Sequence, residues 1–334
     1  MSPRRLLVVG AGSIGLRHAR LCKERSDLRV EVCDSRAEGL AEARKILGDI
    51  RAWNDLDAAL ASRPDFAIVA TPHASHQPIA SAALRAGAHV LCEKPMTDHL
   101  AAARRLVADQ KAANRLLRVG FMFHFHPGML RLKALIADGT LGKILQARYA
   151  VGSYITLECS RSRHQRAVFG SIIMDYAHGL DLALWLLGRA PTGAYARGVQ
   201  GGDLELSSNP NAISVTLDYA EPLLVELSVN YVAKPQTAAV ELFGDRAWAR
   251  YDLSAGRLEL GVPSRETPSA EAIPVERDAL YREQIRQFLG ASEGTPDDLT
   301  TPEQGLLSVA MADAILASLR SGRREEVPSV TGSP

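Results

Sequence analysis

The sequence predicts two domains: an α/β domain built on a parallel sheet, then a domain dominated by antiparallel strands. Its 334 residues exceed what one hydrophobic core usually serves. The first third alternates short apolar strands with amphipathic helices, a pattern typical of a parallel sheet covered on both faces. The second half contains a run of strands separated by short turns, which is typical of an antiparallel meander.

The first domain is predicted from four strand–helix pairs and a closing strand. In order they are "RLLVVGAG" with "SIGLRHARLCKER", "LRVEVCDS" with "RAEGLAEARKIL", "DFAIVATP" with "HQPIASAALRAG", and "AHVLCEKP" with "DHLAAARRLVADQKAAN", before "RLLRVGFMF". The rhythm changes at that strand, and no low-complexity linker follows it. We therefore place a tight boundary at residue 122, which gives domains 1–122 and 123–334.

The second domain opens with a helix, "PGMLRLKALIADG", and a strand, "ILQARYAVGSYI". A long helical stretch, "GSIIMDYAHGLDLALWLLG", follows, and then come the strands "AISVTLDYA", "LLVELSVNYVA", "AAVELFGDRAWARYDL" and "RLELGV". Two helices close the chain, the second with Thr301 as its expected N-cap ahead of Pro302.

Composition and charge argue against several classes of protein. The 39 Lys and Arg residues against 38 Asp and Glu leave a net charge of +1, so no overall field favours nucleic acid or a membrane surface. The four cysteines lack metal-ligand spacing and suit a reducing compartment. The first apolar run is too short for a signal peptide, and no later run approaches a membrane span. We expect a cytoplasmic protein.

A glycine-rich turn lies between the first strand and the first helix. Gly10, Gly12 and Gly15 have G-x-G-x-x-G spacing, with Ser13 and Ile14 opening the helix. In such a turn the first glycine permits the tight bend, the second lets the backbone approach a pyrophosphate, and the third lets helix and strand pack closely. The helix N-terminus then offers N–H groups to the anion. The turn therefore predicts a dinucleotide-binding Rossmann domain.

The end of the second strand carries the residues expected to bind the ribose of the nucleotide. Asp34 lies about twenty residues after Gly15, where an acid binds the ribose hydroxyls. Its charge repels a 2′-phosphate and so favours NAD. Arg36 would favour NADP instead if its side chain turned inward, although arginine usually stays at the surface. We expect NAD as the cofactor, with NADP as the alternative.

Further motifs complete a resemblance to a known family. "GAGSIG" is followed by "ATPHASH", "CEKP", "VGFMFHFHPGM" and a helix with Asp175, His178 and Asp181 spaced three apart. With these motifs the sequence resembles the Gfo/Idh/MocA oxidoreductases from Gly10 to Leu319. The resemblance implies a Rossmann domain followed by an α+β domain with a large, mostly antiparallel open sheet, with the active site between them. It also implies hydride exchange between a nicotinamide and a carbon of a sugar or cyclitol.

The resemblance assigns roles to individual residues. Lys94 matches the catalytic lysine of the family and His178 its catalytic histidine. The loop beneath the cofactor and the turn that holds the lysine supply the other matches: Thr71, Pro72, His73, His76, Glu93 and Pro95. The chain also departs from the family in two places. Asp175 lies three residues before His178 where many members have four, and His124 stands in the substrate pocket where an arginine is common.

The chemistry of alcohol oxidation points to the same residues. The reaction needs a base for the hydroxyl proton and a positive charge near the developing alkoxide. His178, with an ordinary pKa of about 6.5, can exchange a proton at neutral pH, and Lys94 supplies the charge. On one continuous helix, Asp175, His178 and Asp181 would share a face. Either carboxylate would then orient the imidazole, and we expect Lys94, Asp175 and His178 to contact the substrate.

The remaining histidines have plainer interpretations. His18 on the first helix is expected to be structural. His124 and His126 favour a pocket wall over a metal site, because no third ligand lies nearby, and we expect no metal. For Asp181, a bond to backbone or to a lysine is as good an interpretation as a role in the site.

A basic segment, "SRSRHQRA", precedes the catalytic helix. One interpretation is a solvated loop. The other is a cationic rim, in which Arg163 and Arg166 bind a phosphate or carboxylate on the substrate, as in a nucleotide-linked or acidic sugar.

Two other functions remain open at this point. The same scaffold would serve a dinucleotide-bound sensor, although a protein that only binds has no need of Lys94 and His178 together. The second alternative function is hydrolysis or elimination with a recycled nicotinamide, which some relatives perform. We also expect a homodimer or homotetramer formed through the second domain, because strands such as "LLVELSVNYVA" carry apolar residues at alternate positions that need covering.

Overall fold

The computed structural model describes residues 3–159, 168–201 and 210–330. The chain divides into two compact units. The first comprises the chain up to Met122 together with Arg277–Val309, and the second comprises Phe123–Glu276 and the chain from Ala310 onward. Each unit is built on its own sheet. No helix among the described residues is long and apolar enough to cross a membrane.

The first unit contains a six-stranded sheet in which all paired strands run parallel. Its strands are β1 (Arg4–Val9), β2 (Leu28–Cys33), β3 (Arg51–Trp53), β4 (Phe66–Val69), β5 (His89–Cys92) and β6 (Leu117–Val119). The order β3-β2-β1-β4-β5-β6 is that of a dinucleotide-binding Rossmann domain. Strands β1, β4 and β5 are buried along most of their length, as in a sheet covered on both faces. The predicted parallel sheet is confirmed.

Helices connect these strands in turn. They are α1 (Ser13–Lys23), α2 (Ala37–Leu47), α3 (Leu56–Ala61), α4 (His76–Arg85) and α5 (Leu100–Ala113). In α1, a stripe of residues spaced three or four apart is buried: Gly15, His18, Ala19 and Cys22. One face of this helix therefore packs into the core of the unit, as the apolar periodicity predicts.

The second unit contains a nine-stranded, mostly antiparallel sheet. Its strands are β7 (Ile144–Gly152), β8 (Gly193–Val199), β9 (Ala212–Asp218), β10 (Leu224–Asn230), β11 (Thr237–Gly244), β12 (Trp248–Asp252), β13 (Arg257–Gly261), β14 (Ser269–Ala272) and β15 (Glu325–Glu326). The strand order is β14-β13-β12-β11-β7-β10-β9-β8-β15. The expected large antiparallel sheet is confirmed, but it is not one continuous meander. Strand β7 lies between β10 and β11 and runs parallel to β10.

Helices of the second unit cover one face of this sheet. They are α6 (Pro127–Ala137), α7 (Ile155–Cys159), α8 (Ser171–Asp175) and α9 (His178–Leu187). A Cβ on Gly179 would lie 2.5 Å from Cδ1 of Tyr149, so α9 approaches β7 closely only because this residue is glycine. The alternate apolar residues of β10 are buried on the same side: Val225, Leu227 and Val229.

The opposite face of the sheet carries both ion pairs and exposed apolar side chains, among them Leu224, Tyr195 and Val199 at 42%, 39% and 64% exposed. Arg148 pairs with Glu226 at 2.7 Å, and Arg250 lies 3.5 Å from Glu241. On β10, Val225, Leu227 and Val229 are covered within the unit, whereas Leu224 lies on the opposite face and is exposed. Self-association stays a prediction.

The segment Arg277–Val309 belongs to the first unit, although the sequence led us to expect it in the second domain. It includes α10 (Arg277–Ala291) and the start of α11 (Pro302–Ser321). The ring of Tyr281 lies edge-on to that of His18, with centroids 5.2 Å apart. Periodicity identifies an amphipathic helix but not the surface against which it packs, and this explains the difference.

Candidate functional site

The glycine turn between β1 and α1 is shaped by two close approaches. A Cβ on Gly10 would lie 2.5 Å from the carbonyl oxygen of Ala70, and one on Gly15 would lie 1.8 Å from the carbonyl oxygen of Gly10. Gly10 also has φ at +103°, a region that favours glycine. A Cβ on Gly12, by contrast, would meet no heavy atom within 4 Å. Protein atoms therefore surround the turn closely at Gly10 and Gly15, whereas the space beside Gly12 is open.

The open side of the turn is also the start of α1. This helix begins at Ser13 and Ile14, and its N-cap residue Gly12 provides no side-chain hydrogen bond to the first turn. The N–H groups of an uncapped helix N-terminus attract phosphate. The geometry fits a pyrophosphate group at this end of α1.

Asp34 follows β2 and is 8% exposed. Its Oδ2 accepts from the Ala11 amide at 2.7 Å, while its Oδ1 accepts from the Arg36 amide at 2.8 Å. The Arg36 guanidinium adds contacts of 3.1 and 3.2 Å. Burial raises the pKa of Asp34, but these hydrogen bonds outweigh it, so the pKa lies below its usual value. Arg36 is thus an ion-pair partner of Asp34, with 55% of its own side chain exposed.

The loop after β4 contains the expected cofactor contacts. Pro72 is exposed, while Thr71 and His73 are half-buried. His76 is only 1% exposed, with Nδ1 2.9 Å from the Pro95 carbonyl oxygen and Nε2 2.8 Å from that of Thr71. Burial lowers its pKa, against the opposite effect of the two carbonyls. This placement favours a role for His76 in tying two loops together over direct contact with a cofactor.

Lys94 lies in the turn after β5 and is half-buried. The preceding Glu93 is 8% exposed, and its carboxylate turns into the protein. Glu93 Oε1 lies 2.7 Å from Nε2 of His18, and Oε2 accepts from the Lys94 amide at 3.2 Å. A Cβ on Gly120 would lie 3.0 Å from the carboxylate carbon. Glu93 therefore shapes the turn, as expected. Its carboxylate faces His18, however, whereas we had also expected it to contact the cofactor.

The helix expected to carry Asp175, His178 and Asp181 on one face is broken. Asp175 ends α8 and His178 begins α9. At the break, the Gly179 amide bonds to the Tyr176 carbonyl three residues earlier, so the regular four-residue pattern is interrupted. The prediction that Asp175 shares a helical face with His178 and Asp181 is therefore wrong. His178 and Asp181 do share the first turn of α9.

Asp175 has a partner that the sequence did not indicate. The hydroxyl of Tyr231 donates to Asp175 Oδ2 at 2.5 Å. Tyr231 is fully buried, and burial together with the nearby carboxylate raises its pKa well above the usual value. The phenol therefore stays protonated and keeps its donor towards Asp175, which is itself half-buried.

The surroundings of His178 also come from a distant segment. Its ring lies 4.4 Å from that of Phe123, centroid to centroid, at an angle of 31°. His178 is half-buried, so part of its surface remains accessible. A partly accessible imidazole held by a neighbouring aromatic ring is suited to exchanging a proton.

Asp181 pairs with His124, one of the two residues for which the sequence left alternatives. The carboxylate oxygen Oδ2 lies 3.0 Å from Nε2 of His124, and both side chains are almost fully buried. The His124 ring stacks on Trp185 at 4.7 Å. This placement favours a packing role for His124 over the expected substrate contact, and a structural role for Asp181.

Two further expectations concern a metal ion and an anionic substrate. For the first, Nδ1 of His126 accepts from the Gly128 amide and caps α6. Among the described residues no group of three or more His, Cys, Asp or Glu side chains could hold a metal ion. Arg163 and Arg166 lie outside the described residues, so their binding of an anionic substrate stays a prediction.

Comparison with known proteins agrees with this fold. A model of an oxidoreductase family with an NAD-binding Rossmann fold, GFO_IDH_MocA, matches residues 4–121, and a model of the GFO/IDH/MocA C-terminal domain matches residues 129–250. Inositol 2-dehydrogenase 4 of Saccharopolyspora erythraea is 32% identical over 69% of this chain and 68% of its own length. D-glucoside 3-dehydrogenase of Escherichia coli is 26% identical over 98% of both chains.

A solved structure extends the comparison to the fold. The crystal structure of GenD2 from gentamicin A biosynthesis, in complex with NAD, superposes with a TM-score of 0.85 at 24% identity and covers 98% of this chain and 97% of that one. The chain therefore belongs to the Gfo/Idh/MocA family of NAD-dependent oxidoreductases, the family that also contains these inositol and glucoside dehydrogenases.

Proposed function

We propose that this protein transfers a hydride between NAD and a hydroxyl-bearing carbon of a sugar, a sugar derivative or a cyclitol. The observation that carries the proposal is the glycine turn, which is closed at Gly10 and Gly15 and open at Gly12. A dinucleotide requires such an open position at the start of a helix, because its pyrophosphate lies against the backbone there. The named activities of the inositol and glucoside dehydrogenases favour the substrate class.

The residues at the carboxyl end of the first sheet fit NAD better than NADP. Gly12, Ser13 and the following amides would hold the pyrophosphate, and Asp34 would accept the ribose hydroxyls. Arg36 already pairs with Asp34, so its charge is partly neutralised and offers little to a 2′-phosphate. We therefore propose NAD as the preferred cofactor.

The side chains of the protein would perform the proton chemistry. When bound, NAD supplies the carbon that accepts or returns the hydride. A ring nitrogen of His178 takes the hydroxyl proton of the substrate, and Lys94 Nζ places positive charge beside the oxygen as negative charge develops there. Tyr231 fixes the carboxylate of Asp175, three residues before His178, and the negative charge of this carboxylate would stabilise the imidazolium form of His178.

Single and double substitutions test this mechanism. Lys94→Ala and His178→Ala should each lower kcat by about 10²–10⁴-fold, the usual contribution of an acid–base group. If both act on the same step, the double variant should lose much less than the product of the two effects. Turnover is followed by NADH absorbance with a panel of cyclitols, glucosides and nucleotide sugars.

Controls separate chemistry from binding. Lys143→Ala and His99→Ala replace exposed residues of the same types and should leave kcat unchanged. Calorimetry should show NAD binding intact in all variants and tighter than NADP binding in the wild type. Wild-type turnover in His178→Ala would refute its role. Tight NAD binding without turnover on any member of the panel would favour the sensor function instead.

We further propose that the protein forms a homodimer or homotetramer through the sheet of the second unit. A second copy would cover the exposed apolar side chains of its outer face, Leu224, Tyr195 and Val199, and ion pairs such as Arg148 with Glu226 would lie around them. Light scattering that finds only monomer at micromolar concentration would contradict this.

A further inference from the structure

A buried histidine–carboxylate pair lies beneath the turn that carries Lys94. His18 on α1 has no exposed surface, and its Nε2 lies 2.7 Å from Oε1 of Glu93. The two residues are 75 positions apart in the sequence. Burying a carboxylate without a partner is costly, so this contact is what makes the inward position of Glu93 tolerable.

An aromatic ring from the segment Arg277–Val309 packs against the pair. Tyr281 on α10 lies edge-on to His18 at an interplanar angle of 83°. The guanidinium of Arg17 lies over the Tyr281 ring, 5.3 Å from its centroid. Packing on this side leaves His18 little freedom to move away from Glu93.

The two ring nitrogens of His18 have different surroundings. Nδ1 of His18 is buried and has no hydrogen-bond partner among the described residues. A carboxylate oxygen only accepts hydrogen bonds, so Nε2 of His18, which faces Glu93 Oε1, carries a hydrogen and donates it.

The second oxygen of Glu93 transmits this contact to the turn. Oε2 accepts the backbone N–H of Lys94 at 3.2 Å, and the close approach of Gly120 leaves the carboxylate no room on that side. One carboxylate thus joins the ring of His18 to the backbone of Lys94. Rotating Glu93 would release both contacts together.

We propose that His18 is a positioning residue for Lys94 and acts through Glu93. The inference rests on the proposed function, in which Lys94 Nζ lies beside the reacting oxygen. His18 touches neither substrate nor cofactor in this role. It fixes the rotamer of Glu93, which in turn fixes the backbone from which the Lys94 side chain extends. A displacement of about 1 Å at such a group is enough to cost about 10²-fold in rate.

Variants at His18 separate positioning from packing. His18→Leu removes the donor and keeps an apolar side chain, while His18→Gln keeps an N–H donor near the position of Nε2. Cys22→Ala, one turn further along the same buried face of α1, removes packing without reaching Glu93. We expect H18L to lower kcat about 10²-fold with KM for NAD nearly unchanged, H18Q to recover most of that loss, and C22A to keep wild-type kcat.

Combination with Lys94→Ala tests the route of the effect. Because His18 acts through Lys94, H18L should cause no further loss of kcat in the K94A background. An additive loss there, or wild-type kcat in H18L that is folded and binds NAD, would overturn the positioning role. Full turnover in K94A alone would instead overturn the proposed function, so the two failures are distinguishable.

A second variant decides the matter if H18L does not fold. Glu93→Gln buries no charge, keeps an oxygen for the His18 donor and loses the acceptor for the Lys94 amide. We expect E93Q to fold and to lower kcat by a factor similar to that of H18L. Wild-type kcat in E93Q would overturn the proposal.

Discussion

The two units hold their proposed catalytic groups in different ways. In the first unit, Lys94 is held through its backbone, because its amide bonds to Glu93 in a turn that closely approaches Gly120. In the second unit, His178 begins α9 and is held through its ring, which packs against that of Phe123. Backbone positioning depends on residues that lack a side chain, whereas ring positioning depends on aromatic packing. The two regions should therefore fail under different substitutions.

A common feature underlies the difference. Each proposed catalytic group follows a carboxylate that a remote side chain holds: Glu93 by His18, and Asp175 by Tyr231. These partners lie 75 and 56 positions away from their carboxylates. Both units thus use a distant donor to fix a local acid.

The largest expected effect comes from the glycine turn of the first unit, where a close backbone approach again depends on the absence of a side chain. Gly15→Ala places a Cβ 1.8 Å from the Gly10 carbonyl oxygen, so the turn must shift. Overpacking of this kind costs about 1–3 kcal/mol or more, and NAD affinity should fall with it. Gly12→Ala adds a Cβ with no protein atom within 4 Å, so stability should stay at the wild-type value while NAD affinity falls at least about tenfold.

Thermal unfolding and calorimetry distinguish these two glycine variants. A G12A protein that binds NAD as the wild type does would contradict the assignment of the open side of the turn to a pyrophosphate. A G15A protein with unchanged melting temperature would contradict the close approach.

The sequence was sufficient where structure follows from local pattern. The alternation of strands and helices predicted the parallel sheet, and the spacing of Gly10, Gly12 and Gly15 placed the turn at the end of β1. Thr301 was also correctly predicted as a cap, since its Oγ1 accepts from the Gln304 amide. In each case the physical cause lies within a few residues of its effect.

The sequence was not sufficient where structure depends on contacts between distant segments. The pattern of β7 did not reveal that it would separate β10 from β11. The apolar stretch around Tyr176 gave no sign of the break that separates Asp175 from His178. The same is true of the remote partners of the two carboxylates, because no local spacing encodes a contact across 56 or 75 positions.

A smaller effect concerns the aromatic packing of the second unit. His126 caps α6 through Nδ1, which must be unprotonated to accept, and its ring lies 5.6 Å from that of Phe123. Burial lowers the pKa of His126 to about 4 from 6.5. Because the folded pKa is the lower one, this contribution to stability is present above pH 6.5 and is lost as pH falls towards 4. The loss at pH 5 should be about 2 kcal/mol.

Urea unfolding at pH 8 and pH 5 measures this loss. His126→Asn keeps a capping acceptor but does not titrate in this range, so the difference between the two pH values should shrink by about 2 kcal/mol. The same acid sensitivity in the wild type and in H126N would show that other groups, and not this cap, weaken the second unit in acid.

The smallest expected effect compares two buried tyrosines of the second unit. Tyr231 donates to the carboxylate of Asp175, while Tyr251 donates to the carbonyl oxygen of Ile273 at 2.9 Å. Both are fully buried, so replacement by Phe keeps the ring packing and removes only the hydroxyl. A hydrogen bond to a charged group contributes about 1.5–3 kcal/mol and one to a neutral group about 0.5–1.5 kcal/mol.

Tyr231→Phe should therefore lower the free energy of unfolding by about 1 kcal/mol more than Tyr251→Phe. It should also lower kcat, because Asp175 loses the donor that fixes it, whereas Tyr251→Phe should not. Urea unfolding and NADH-coupled turnover measure both quantities on the same preparations. Equal destabilisation by the two variants would mean that solvent replaces the phenol at the half-buried carboxylate. In that case the remote donor matters in the first unit, where Glu93 is buried, and not in the second.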